Sequence, residues 1–128
     1  CGTGHSVSFV GNVHEGPQSL NGRNQVVFEP GMVITDEPGV YEGGRLGIRI
    51  ENELECRDKT TNQYGHFLCF EPLTWVPIAT SPIVPGVLTR DQLDWLNRYH
   101  RHVFELLAPR LTDEERDWLA RKCAAIGA

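Results

Sequence analysis

The chain has 128 residues, 40% of them apolar and 23% charged, and a formal net charge of −5. That length allows one domain with a packed core, and the composition is ordinary for a globular protein. A net negative charge without clustered Lys or Arg gives no footprint for nucleic acid or an anionic membrane, and no apolar run approaches the ~20 residues of a membrane-spanning helix.

The first stretch, C-G-T-G-H-S-V-S-F-V-G-N-V-H-E-G-P, sets His5 and His14 among glycines, with no initiator Met, charged leader or targeting segment. The expectation is a cleaved precursor or a piece of something larger. Cys1, Cys56, Cys69 and Cys123 are widely separated and form no C-x-x-C pair. This spacing argues against a zinc ribbon or a disulfide-stapled mini-protein, and reduced thiols suit a cytoplasmic location.

Residues 1–88 read as strands and turns, and residues 89–128 as helices. Met32 to Tyr41 starts as a short β-rich run and is stopped by Pro38-Gly39. Leu46 to Cys56 is predicted as the clearest strand, with Leu46, Ile48, Ile50, Asn52 and Leu54 on one face and Gly47, Arg49, Glu51, Glu53 and Glu55 on the other. The E-G-G between Tyr41 and Arg45 fits a hairpin joining the two. A third run, Tyr64 to Ile78, suits a strand whose pairing Pro72 and Pro77 limit.

Two capping boxes, Thr89 with Gln92 and Thr112 with Glu115, announce the helices. Leu93, Leu96, Tyr99, Val103 and Leu107 predict a helix over 90–108 that buries one stripe and ends at Pro109. Trp118, Leu119, Lys122 and Ile126 mark a shorter one. Trp95 and Trp118 read as core anchors, and His100 and His102 as surface or packing histidines without a ligand partner.

A half-buried strand wets its polar face, so Glu51, Glu53 and Glu55 read first as solvent-facing charges. Two details point further. Arg49 shares their face and could pair with a neighbouring carboxylate, and Asp36 and Glu37 lie just before the turn of the preceding strand. Two carboxylates on adjacent strands repel unless a cation stands between them, and a divalent metal is the usual one. Two Glu plus one or more His, without thiolate, suit Mn²⁺, Co²⁺, Fe²⁺ or Zn²⁺. Such residues also occur together by chance, so spacing alone does not select a metal site.

G-T-G-H-x-V, N-V-H-E-G-P, E-P-G-M-V-I-T-D-E-P-G-V-Y and G-I-R-I-E-N-E, in this order, resemble the catalytic domain of the Xaa-Pro aminopeptidases. These are "pita-bread" metallopeptidases, a group that includes prolidase and methionine aminopeptidase. The F-L-C-F-E-P-L-T-W-V-P-I run and the W-L-N-x-Y-H helix are similar to the aminopeptidase P branch. The resemblance covers essentially the whole chain. It implies an α+β, partial pita-bread fold, mainly antiparallel sheet followed by two helices, forming the C-terminal part of the catalytic domain.

It also implies roles. His5, Glu37 and Glu51 match three of five metal ligands of a pair of divalent ions, most readily Mn²⁺, with Co²⁺ or Zn²⁺ as alternatives. Glu37 would in addition pass a proton. His14 matches the histidine that contacts substrate and steadies developing charge, Tyr41 a tyrosine near the site, and Arg49 the arginine bracing the carboxylates. The implied reaction is hydrolysis of the bond after the N-terminal residue of a peptide with proline second.

The two remaining ligands of the family are aspartates upstream of G-T-G-H, and no D-x-G strand precedes His5 here. Asp36 cannot stand in, since it should point away from Glu37. The isolated chain is therefore expected to be inactive without the missing N-terminal part. Cys1 stands where some relatives carry a further histidine; a catalytic thiol there would lack a base in reach. The alternatives are a prolidase-type dipeptidase and a non-catalytic peptide-binding module. A homodimer is compatible with the family.

Overall fold

The computed structural model describes residues 3–127. Cys1, the candidate thiol, lies outside the described residues. The chain forms two compact units, one up to Thr74 and one from Trp75.

The first unit is a set of antiparallel strands: β1 (Val33–Asp36), β2 (Gly39–Glu42), β3 (Leu46–Arg49), β4 (Asn52–Asn62) and β5 (Gly65–Pro72). One sheet has the order β1-β4-β5 and a second pairs β2 with β3. The predicted strand over Leu46 to Cys56 is thus broken at Ile50-Glu51, where the chain leaves one sheet for the other. The reason lies across the ladder. Pro38 has no N–H to donate, so only its carbonyl continues the pairing, accepting from Ile50 N–H at 3.3 Å. A single register nevertheless runs through both pieces: Asp36 opposes Asn52, and Gly39 opposes Arg49. The E-G-G turn is the tip of this long hairpin, as its residues predict.

β5 ends at Pro72, short of the predicted Ile78. Its pairing with β4 slips by one residue between Asp58 and Thr60, a bulge on the β4 side. Ile34 and Cys56 are fully buried in this unit, and Thr35, Glu37 and Gln18 are buried with them. Buried polar groups are costly unless paired, and the pairings of Thr35 and Glu37 form the candidate site.

The second unit contains α1 (Arg90–Leu107) and α2 (Asp113–Lys122), each opened by a complete capping box. The segment from Trp75 onward groups with these helices. Tyr99, Val103 and Leu119 form the core, with Trp75, Ile78, Phe104 and Leu111 packed against it. Trp95 and Trp118, expected as core anchors, are 53% and 49% exposed. Trp95 falls off the Leu93–Leu96–Tyr99–Val103 stripe, and Leu119 takes the buried position beside Trp118. Ile126 lies beyond the end of α2; the Asn97 side chain takes both its N–H and its carbonyl, each at 3.1 Å. His100 is a packing histidine, fully buried, whereas His102 is exposed with its ring edge-on to Trp75. No helix among the described residues is long and apolar enough to cross a membrane.

Candidate metal centre

The site is organised around Glu37, a carboxylate only 3% exposed at the end of β1. Burying that charge requires partners for both oxygens. Oε2 pairs with the Arg49 guanidinium, which β3 presents from the opposite side of the hairpin. Oε1 accepts a hydrogen bond from the Thr35 hydroxyl at 2.9 Å and meets His5 Nε2 at 2.6 Å. Its own backbone N–H donates to the Thr3 hydroxyl at 3.0 Å.

Thr35 sets the position of His5. Its hydroxyl oxygen accepts from the backbone N–H of Gly4 (3.1 Å) and of His5 (3.2 Å), while its N–H donates to the His5 carbonyl at 2.8 Å. Gly4 is required at this crossing: its φ is +72°, and a Cβ there would sit 2.3 Å from Leu20 Cβ. Thr3 and Thr35 join the hydrogen-bond cluster around Glu37, and neither was singled out by the motifs. The signal was available for Thr35, which shares a strand face with Glu37 two residues on.

The chemistry of the His5–Glu37 contact is specific. His5 Nδ1 lies 3.0 Å from the Ser6 carbonyl and Nε2 faces the Glu37 carboxylate, so both ring nitrogens meet oxygens that only accept. A neutral ring can donate to only one of them. At 2.6 Å that arrangement needs a proton, as imidazolium, or a shared cation. An Nδ1–H···O=C bond orienting Nε2 is also how ligating histidines are held. The donor set, imidazole nitrogen with carboxylate oxygen and no thiolate, fits a divalent ion of the Mn²⁺, Co²⁺ or Zn²⁺ type.

Of the other predicted site residues, His14 is exposed and sits edge-on to His5, ring centroids 4.5 Å apart. Tyr41 is half-exposed; its hydroxyl accepts from Arg49 Nε at 2.7 Å, so Arg49 bridges Tyr41 and Glu37. Glu51 is exposed, one step beyond Asn52 in the shared register and hence opposite Glu37. Among the described residues, no group of three or more His, Cys, Asp or Glu side chains converges on one metal position. The structure therefore brings together His5, Glu37, Arg49, Tyr41 and His14, and leaves the Glu51 side chain outside that cluster.

The buried carboxylate and the imidazole beside it on an antiparallel hairpin are the residue types a divalent metal site uses. Residues 1–58 match metallopeptidase family M24, and residues 66–126 match the C-terminal region of peptidase_M24. The chain belongs to family M24. Within it, the chain is similar to aminopeptidase P2 of Arabidopsis thaliana (44% identity, 92% of this chain, 18% of the relative) and to a probable Xaa-Pro aminopeptidase P of Aspergillus flavus (42% identity, 98% and 20%). A crystal structure of X-prolyl aminopeptidase from Caenorhabditis elegans, described as a cytosolic enzyme with a di-nuclear active site, superimposes with a TM-score of 0.82 at 39% identity, over 98% of this chain and 21% of that one. The chain thus spans about a fifth of the length of the relatives it matches.

Proposed function

We propose that the full-length protein carrying this chain is a cytoplasmic dinuclear-metal aminopeptidase that releases the N-terminal residue from peptides with proline second. The observation that carries the reading is the buried Glu37 carboxylate, held by Arg49 on one oxygen and by His5 and Thr35 on the other. The relatives named aminopeptidase P and the di-nuclear site of the similar worm enzyme support it.

In this reading His5, Glu37 and Glu51 hold a pair of divalent ions, Mn²⁺ by preference, with the remaining ligands supplied by other parts of the full-length protein. When bound, such ions supply a nucleophilic water near neutral pH and polarise the peptide carbonyl. The chain's own residues do the rest. Arg49 neutralises the buried carboxylate and fixes its plane, Thr35 and Ser6 lock the rotamer and tautomer of His5, and Glu37 accepts and passes on a proton. His14, exposed beside His5, donates a hydrogen bond to the oxygen on which charge develops. Tyr41, whose hydroxyl accepts from Arg49 Nε, contacts the substrate in this reading.

The test is hydrolysis of an Xaa-Pro-Yaa tripeptide by the full-length protein, stripped with chelator and then restored with Mn²⁺. Release of free Xaa only after metal is restored is the expected result. Cleavage confined to Xaa-Pro dipeptides would replace the aminopeptidase with a dipeptidase.

A further inference from the structure

Residues 7–13 leave the site between His5 and His14 and return to it. Their base is closed by a two-way bridge, Ser6 N–H to Glu15 carbonyl and Glu15 N–H to Ser6 carbonyl, both 2.9 Å. Inside it, Ser8 N–H donates to the Asn12 carbonyl at 3.2 Å. The Ser8 hydroxyl accepts from Gly11 N–H at 2.8 Å and from Val10 N–H at 3.3 Å, and Glu15 Oε1 accepts from Asn12 N–H at 2.8 Å. Gly11 is closely surrounded: a Cβ there would lie 2.7 Å from Glu15 Oε1 and 2.8 Å from Ser8 Oγ.

This tied-down loop displays apolar side chains. Phe9 is fully exposed, Val10 is 87% exposed and Val13 is 64% exposed. Scattered exposed apolar residues need no explanation, but here three share one hydrogen-bonded loop of seven residues. A loop already pinned by its own bonds loses little further freedom when something docks on it, which favours a binding role over a mere connection.

Resting on the aminopeptidase reading, we infer that Phe9 and Val10 determine specificity for the downstream part of the peptide substrate, taking an apolar side chain beyond the proline. Geometry selects the occupant. Val10 is four residues from His14, so the tip lies within about 14 Å of it, and an extended peptide covers the same span in about four residues. An aminopeptidase has a single residue on the N-terminal side of the cleaved bond. Only the downstream side is long enough to reach the tip. A dipeptide could not touch it.

The experiment uses the full-length, metal-loaded protein and two pentapeptides, both with proline second, carrying Leu-Leu or Gly-Gly at positions four and five. The wild type is expected to prefer the Leu-Leu peptide in kcat/KM. In the double variant Phe9→Ser, Val10→Ser the ratio of the two kcat/KM values falls about tenfold, through KM rather than kcat, in line with loss of apolar contact area. An unchanged ratio overturns the inference, as does an equal loss on both peptides. A fall in Tm or a change of oligomeric state in the variant also overturns it, since the loop's apolar side chains would then be covered by protein. If the wild type cleaves no peptide with proline second, the functional reading itself fails and takes the inference with it.

Discussion

Glu37 and Glu51 stand opposite each other in one antiparallel register, at the point where the hairpin passes from the β1–β4 ladder to the β2–β3 ladder. They differ in surroundings: Glu37 is buried between His5 and Arg49, whereas Glu51 is exposed. Under the proposed function the pair separates a structural role at Glu37 from a purely metal-binding one at Glu51. Glu51→Ala should change the stability of the metal-free full-length protein by no more than about 0.5 kcal/mol, as an exposed substitution does. Glu37→Ala should cost about 2 kcal/mol, because it strands Arg49 and the Thr35 hydroxyl. Both should lose tight Mn²⁺ binding. Chemical denaturation without metal and calorimetric titration with Mn²⁺ measure the two effects; a large stability loss in Glu51→Ala would contradict the assignment.

Thr35 is the hinge between strand and histidine. Thr35→Val keeps the shape but leaves the Gly4 and His5 N–H groups and Glu37 Oε1 without its hydroxyl. The expected cost is about 2 kcal/mol, with a kcat/KM loss larger than that of Thr35→Ser, which retains the oxygen. Equal activity in the two variants would show that the hydroxyl does not position His5.

His100 provides a pH test. Its Nε2 accepts from Ile78 N–H at 3.0 Å, so Nδ1 carries the proton, and Nδ1 is buried without a hydrogen-bond partner among the described residues. Burial holds its pKa below the ordinary value of 6.5. The folded state thus binds fewer protons than the unfolded one as pH falls below that value. Its contribution to stability is fully present above pH 6.5 and is lost progressively below it, towards the depressed folded pKa. The protection factor of the Ile78 amide, exchange corrected for its intrinsic pH dependence, should fall over that range. His100→Gln, which keeps an acceptor but does not titrate, should flatten this dependence; an unchanged profile would assign it elsewhere.

The caps make a simpler prediction. Thr112→Ala removes the acceptor for the Glu115 N–H and should cost about 1 kcal/mol in thermal or denaturant unfolding. Thr89→Ala at the head of α1 should cost a similar amount. No change in either would mean that tertiary packing alone fixes the helix starts.

Both caps were legible in the sequence because a capping box is a local signal, and so was the hairpin, because E-G-G is one. The motif residues His5, Glu37 and Arg49 were legible through resemblance, and strand alternation put Arg49 on the carboxylate face. What escaped depends on distant partners. Ile50-Glu51 carries no breaker of its own; the interruption comes from Pro38 across the ladder. His100 is buried where its acceptor nitrogen serves Ile78, which lies in the irregular segment of the second unit that precedes α1. Thr35 looked like an ordinary β-branched strand residue until the G-T-G-H segment folded back onto it.

Whether this chain supplies metal ligands to an enzyme completed by other parts of its polypeptide is decided by Mn²⁺-dependent release of the N-terminal residue from an Xaa-Pro-Yaa tripeptide, measured on the 128-residue chain and on the full-length protein. Turnover by the full-length protein, abolished in Glu37→Ala, and none by the chain alone is the expected result. Robust turnover by the chain alone, or undiminished turnover in Glu37→Ala, would contradict it.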